Sequence, residues 1–260
     1  LLTWASLNLF INFIMERAMR KTSNNRIWEI DMARGILIIL MIIFHIFFNL
    51  DYFYNIPINY SHGVINVLRN IVASLFILIS GICTFFSRSS FRRGLIIFFA
   101  AIAITLATYL FNSEEYIVFG ILHMLSICML ISPVLKKLNK GWLFVLMALI
   151  LLISVLISDI KVNNNYLCMF GLRNKNFTSL DYYPLLPWSL FFVAGILLGK
   201  TVYREKKSIF SFQVKDNFIN LIGRHSLLVY LVHQPVILAI MSLIFQLKKW
   251  QNTILSFLKK

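Results

Sequence analysis

The stretch RGILIILMIIFH, residues 34–45, sets an arginine and a histidine at the two ends of ten residues that are almost wholly apolar. On an α-helix eleven residues turn through about 1100°, close to three turns, so Arg34 and His45 project from one face, about 16 Å apart along the axis. In a bilayer both side chains are expensive, and together they mark a line running through it.

The whole chain fits that setting. Its 260 residues are 59% hydrophobic and 13% charged, with a mean hydropathy of +0.79, which a soluble surface of this size does not carry. The chain reads as an all-α, polytopic transmembrane bundle whose first partner is the lipid bilayer. The formal charge of +15 lies in short clusters between apolar segments, where membrane topology accounts for it and nucleic-acid binding does not. Cys83, Cys128 and Cys168 form no CxxC pair and show no metal-ligand spacing, so no metal is expected.

Seven segments have spanning length and polarity, at about 30–50, 67–86, 94–111, 116–135, 142–158, 184–200 and 225–247. Lys and Arg concentrate in the amino-terminal arm, SRSSFRR, KKLNKG and the stretch 200–224, whereas NSEE and the connection holding Asp51 fall on the other side. The positive-inside rule then puts the amino terminus in the cytoplasm. The lysine-bearing tail WQNTILSFLKK departs from this pattern and suits the interface. Residues 1–25 read as a separate segment, interfacial or upstream of the true start, 26–247 as one membrane domain, and 248–260 as a short interfacial tail. The connection 159–183 holds NNN, NKN and DYYP, a composition suited to an ordered loop over a pocket, with Asp181 as a pocket candidate.

Ionisable groups inside the spans are few enough to follow singly. Asp31 and Arg34 sit in the first turns of the first segment and His45 some 22 Å in, by about 1.5 Å per residue. His123, in FGILHMLS, reaches a similar depth from the opposite direction. In GRHSLLVYLVHQP, Ser226, Tyr230 and His233 stand at i, i+4 and i+7, one polar stripe beside Pro235, which puts His233 near mid-bilayer. Each residue also has a plain reading: Asp31 pairing with Arg34, the histidines bonding between helices, Tyr230 packing. Three histidines in three segments, above a basic mouth, are more than packing requires. His62 lies in the connection before the second segment, either as solvated surface or as a half-buried polar pair with Arg69 seven residues on.

RIWEIDMARGILIILMIIFH, followed by LFILISG, FGILHMLS, DYYPLLPW and GRHSLLVYLVHQP, resembles the bacterial members of the heparan-α-glucosaminide N-acetyltransferase catalytic-domain family, over about residues 26–245. The arginine, ten residues, histidine pattern is also similar to that of the transmembrane acyltransferases that O-acetylate bacterial surface glycans. The resemblance implies transfer of an acetyl or other acyl group from cytoplasmic acetyl-CoA, a co-substrate, to an amino sugar or glycan across a bacterial cytoplasmic membrane. It implies roles for Arg34 and His45, which match the arginine and histidine of the surface-glycan enzymes. In the lysosomal members the position matching His45 is asparagine, and the active-site histidine lies in the next loop, where this chain has His62. Both histidines are therefore candidate bases. His123 matches a glutamine there, which implies a polar contact to donor or acceptor.

With that reading, Arg34, Asp31, Arg88, Arg92 and Arg93 are donor-side candidates. His123, Tyr230, His233, Arg69 and Asp181 are candidates for the substrate pocket. The cluster 88–93 also has a purely topogenic reading. A second copy of the chain is a candidate partner. A proton-coupled transporter with histidine relays is the competing class, although no paired halves with interrupted helices are evident; a non-catalytic scaffold would not require the Arg34–His45 line.

Overall fold

Where water is excluded, a backbone satisfies its own N–H and C=O groups by winding into a helix, and each of the seven apolar segments does so. The structure is a computed structural model that describes residues 27–258 except 59, 61, 161 and 216, with side chains up to 246. Its helices are α1 Trp28–Tyr54, α2 Gly63–Phe86, α3 Ser90–Phe111, α4 Ile121–Lys137, α5 Lys140–Ile157, α6 Leu185–Thr201, α7 Phe218–Arg224 and α8 Ser226–Leu258, with a 3-10 turn at Cys168–Phe170. No strand occurs among the described residues, only an isolated bridge between Phe119 and Tyr182. The segment read as 1–25 lies outside the described residues; the backbone of the tail continues α8 as far as Leu258.

Five of these helices, α1, α2, α3, α5 and residues 226–246 of α8, are long and apolar enough to cross a membrane. Of the seven spanning segments expected, the other two are shorter. Both α4 and α6 have 17 residues, about 25 Å of helix against a hydrocarbon core of about 30 Å. The segment expected from 116 enters its helix only at Ile121, because the preceding residues pair with the loop instead: Tyr183 N–H donates to the Phe119 carbonyl at 2.9 Å.

Close helix contact depends on missing side chains. A Cβ on Gly81 would lie 2.2 Å from the Phe192 carbonyl oxygen, and one on Gly195 would lie 2.0 Å from that of Leu78, so α2 and α6 meet backbone to backbone. Ile77, Met124, Leu143, Phe192 and Ile196, all at 0% exposure, fill the core around that crossing. The lipid-suited outside is carried by α3 and α5, where Phe99, Leu110, Val155 and Leu156 stand exposed. The seven-residue α7, unexpected in a basic stretch, is capped by the Asn217 side chain accepting from Asn220 N–H at 3.0 Å. It lies flush on α1: a Cβ on Gly223 would sit 1.8 Å from the Asp31 carbonyl oxygen, and one on Gly35 2.0 Å from that of Ile219. The bundle thereby sets α8 alongside α1, joined near both ends of the 34–45 stretch.

Candidate functional site

At the Arg34 end, polar side chains tie α1 to its neighbours, while Trp28 Nε1, Glu29 Oε2 and Ser87 Oγ are buried without a partner. Asp31 pairs with Arg224 at 3.4 Å, so its visible ion pair reaches across to α7. Arg34 donates to the Ser226 hydroxyl and, at 3.9 Å, to Cys83 Sγ; its Nε is buried with no partner. Arg93 also lies within electrostatic range of Cys83. Arg88, Arg92 and Arg93 are solvent-exposed. Beside them Lys136 on α4 donates to the Ser87 carbonyl at 2.7 Å and the Ser90 hydroxyl at 3.0 Å.

Three turns along α1 the leftover atoms come in facing pairs. His45 and His233 face each other with ring centroids 4.6 Å apart. The two helices are thus in a register that brings the residue expected near mid-bilayer level with the one expected further out. His233 Nδ1 is held by the Tyr230 carbonyl oxygen, which requires the proton on Nδ1 and leaves the Nε2 lone pair bare. That Nε2 and His45 Nδ1 are both buried without a partner. One turn further, Gln234 Nε2 donates to Asn49 Oδ1 at 2.8 Å, while Asn49 Nδ2 and Gln234 Oε1 are likewise buried and unpartnered. Arg69, within electrostatic range of His45, donates to Asn66 Oδ1 at 2.6 Å, stacks over the Tyr60 ring at 5.0 Å and keeps Nε unpartnered.

Asp181 comes to this end through the long loop. The Ser179 hydroxyl ties Val118 N–H to the Asp181 carbonyl, and Asp181 Oδ2 accepts from Ile121 N–H at 3.0 Å, at the start of α4. A Cβ on Gly120 would lie 2.3 Å from that oxygen, so only glycine lets the carboxylate reach the helix end. Burial pushes the Asp181 carboxyl up to about 6, although the Ile121 N–H and Arg69 both favour its charge. Burial also raises the Tyr60 phenol, with Arg69 opposing it. Asp181, His123 and Tyr230 line a cavity of about 20 Å³, room for one water-sized group.

The expected residues thus divide. His45, His233, Arg69, Asp181 and Tyr230 share one end of the bundle. His123 borders it, but both of its ring nitrogens are engaged: Nδ1 accepts from Gly120 N–H at 3.2 Å and Nε2 meets Thr105 Oγ1 at 3.2 Å. Since Thr105 Oγ1 donates to the Ile117 carbonyl, the tautomer satisfying every bond carries its proton on Nε2. His62 is exposed at the N-cap of α2. Asn49 and Gln234 went unnoticed in the sequence because neutral amides carry no charge to attract attention; their positions one turn after His45 and next to His233 were the available signal.

Fold and site together define a polytopic helical membrane protein whose α1 and α8 hold facing pairs of incompletely bonded polar groups. The sequence model for the catalytic region of heparan-α-glucosaminide N-acetyltransferase matches residues 26–235, most of the chain, and the protein belongs to that family. No curated protein and no solved structure matches it.

Proposed function

We propose that this membrane protein of the acetyltransferase class takes an acetyl group from acetyl-CoA at the Arg34 end of α1 and passes it to an amino sugar or glycan at the His45 end. The amino terminus is then cytoplasmic, and all seven apolar helices, the two short ones included, cross a bacterial cytoplasmic membrane. The observation that carries the reading is the facing pair His45–His233, with its bare nitrogens, at the far end of a helix whose near end presents an arginine with one guanidinium nitrogen unused.

Arg34, backed by Arg93 and the exposed Arg88 and Arg92, supplies positive charge for the CoA phosphates, and Asp31 holds the α7 wall through Arg224. An acceptor amine or hydroxyl attacks the thioester carbonyl carbon as His45 takes its proton; the C–S bond breaks, CoA leaves as thiolate and receives that proton from the imidazolium. The same products follow if His45 first carries the acetyl group itself. His233, its tautomer set by the Tyr230 carbonyl, packs its ring against that of His45 and positions it. Arg69, Asp181, Tyr230 and His123 wall the acceptor side. His62 is the competing base, and its exposure gives it less support.

The test is CoA release by the purified protein in detergent with acetyl-CoA, glucosamine and a small glycan panel, comparing wild type, His45→Ala and His62→Ala. Acceptor-dependent release lost only in His45→Ala is expected. Full activity in that variant overturns the role of His45, and loss confined to His62→Ala transfers it there. No release with any acceptor removes the support for acetyl transfer.

A further inference from the structure

The rung next to the histidine pair contains a surplus that helix packing does not explain. Asn49 is at 0% exposure and shares a single hydrogen bond with Gln234, yet each amide keeps a second buried polar atom with no partner. Those are a donor, Asn49 Nδ2, and an acceptor, Gln234 Oε1. Flipping both amides exchanges the roles and still leaves one donor and one acceptor. Two helices needing only an interhelical bond would be served by groups that leave nothing over, because each buried unsatisfied group costs stability. The leftover pair is neutral, lies within one turn of His45 on α1, and adjoins His233 on α8.

We infer that Asn49 and Gln234 form an acceptor-recognition subsite for a neutral group that both donates and accepts, namely a sugar hydroxyl. The inference rests on the acetyltransferase reading and names the chemistry that the site selects. A carboxylate, sulfate or ammonium would lose its hydration to uncharged partners and is disfavoured there. Gln234 is only half-buried, so it is the member that swings aside: its bond to Asn49 opens, and the hydroxyl bridges the two amides by donating to one and accepting from the other.

The experiment uses the full chain in detergent, glucosamine, and its 3-, 4- and 6-deoxy analogues. Two readouts are taken, thermal stabilisation by each sugar and acetyl-CoA-dependent turnover, for wild type, Asn49→Leu, Gln234→Leu and the exchanged pair Asn49→Gln with Gln234→Asn. One deoxy analogue should be weaker than glucosamine by about tenfold or more in wild type. That discrimination should vanish in either leucine variant through a raised KM for glucosamine, with KM for acetyl-CoA unmoved, and return in the exchanged pair. If Asn49→Leu does not fold, Gln234→Leu decides. Unaltered discrimination in the leucine variants, or equal treatment of all four sugars by wild type in both readouts, overturns the subsite. Sugar-dependent stabilisation without turnover leaves the subsite standing and removes the acetyltransferase reading, so the two fail separately.

Discussion

At the Arg34 end of α1, polar side chains are bound into the fold: Asp31 to Arg224, Arg34 to Ser226 and Cys83, with glycines pressing α7 against the helix backbone. Single atoms are left over there too, Trp28 Nε1, Glu29 Oε2, Arg34 Nε and Ser87 Oγ, but at the His45 end they fall on both members of two facing α1–α8 pairs, His45 with His233 and Asn49 with Gln234, and on Arg69. A satisfied group inside a membrane protein is adequately explained by structure. An unsatisfied one implies that something else completes it, because leaving it bare costs on the order of 1–3 kcal/mol. The contrast sets the ion-paired end that ties α1 to α7 against the facing pairs proposed to meet a reactant, and it can be tested from both sides.

The largest effect is expected between two histidines that the contrast sets apart. His233→Ala should lower acetyl-transfer turnover by about a hundredfold, within the about 10²–10⁴ range of general-base catalysis, while shifting the pH profile of the activity and hardly moving the melting temperature. His123→Ala, which removes a fully bonded ring from the start of α4, should cost about 0.5–2 kcal/mol of stability, as lost helix caps do, and lower turnover far less than His233→Ala. Equal losses of activity in both would break the distinction. Next in size is Gly223→Ala: with 1.8 Å between the new Cβ and the Asp31 carbonyl oxygen, α7 must leave α1, lowering stability by about 1–3 kcal/mol in a thermal melt. Arg34→Ala should raise the KM for acetyl-CoA about tenfold, the loss of one charge-assisted contact, with KM for the acceptor unchanged; the opposite pattern would place the donor elsewhere. The last comparison concerns Asp181. Its carboxyl titrates near 6 in the fold against about 3.9 in the unfolded chain, so the protonated form is the one the fold favours. Its contribution to stability is complete below about pH 4 and is lost as pH rises through about 6. Melting temperatures of wild type should therefore fall relative to Asp181→Asn across that window, and parallel curves would contradict its burial.

Much of this architecture was legible beforehand for a specific reason. Unbroken apolar runs fixed by the 30 Å membrane core reveal their helices through length alone, and α1, α2, α3, α5 and α8 appear where those runs lie. The short α7 was hidden: FINLIGR has too few residues for a periodicity to emerge, and its glycine matters only once α1 lies against it. The start of α4 moved because Phe119 bonds across to the loop, a pairing between residues 64 apart in sequence, as 183 minus 119 gives for Tyr183 and Phe119. In the site, the line from Arg34 to His45 followed from helical geometry. The meeting of His45 with His233 did not, because depth counted along each helix from its own first residue ignores the register in which two helices pack. Asn49 and Gln234 were passed over for their neutrality, although neutrality is what suits them to a hydroxyl.

The contact between α1 and α8 also has a bearing on how the protein is made. His45 and His233 are 188 positions apart, from 233 minus 45, and the ribosome adds about 5–20 residues each second. Roughly 10–40 s therefore separate the synthesis of one histidine from that of the other, during which α1 is already available to the membrane without its counterpart. Throughout that interval the nascent chain has both Arg34 and His45 but not the ring that faces His45. The facing histidine pair is therefore completed only with the arrival of the last helix.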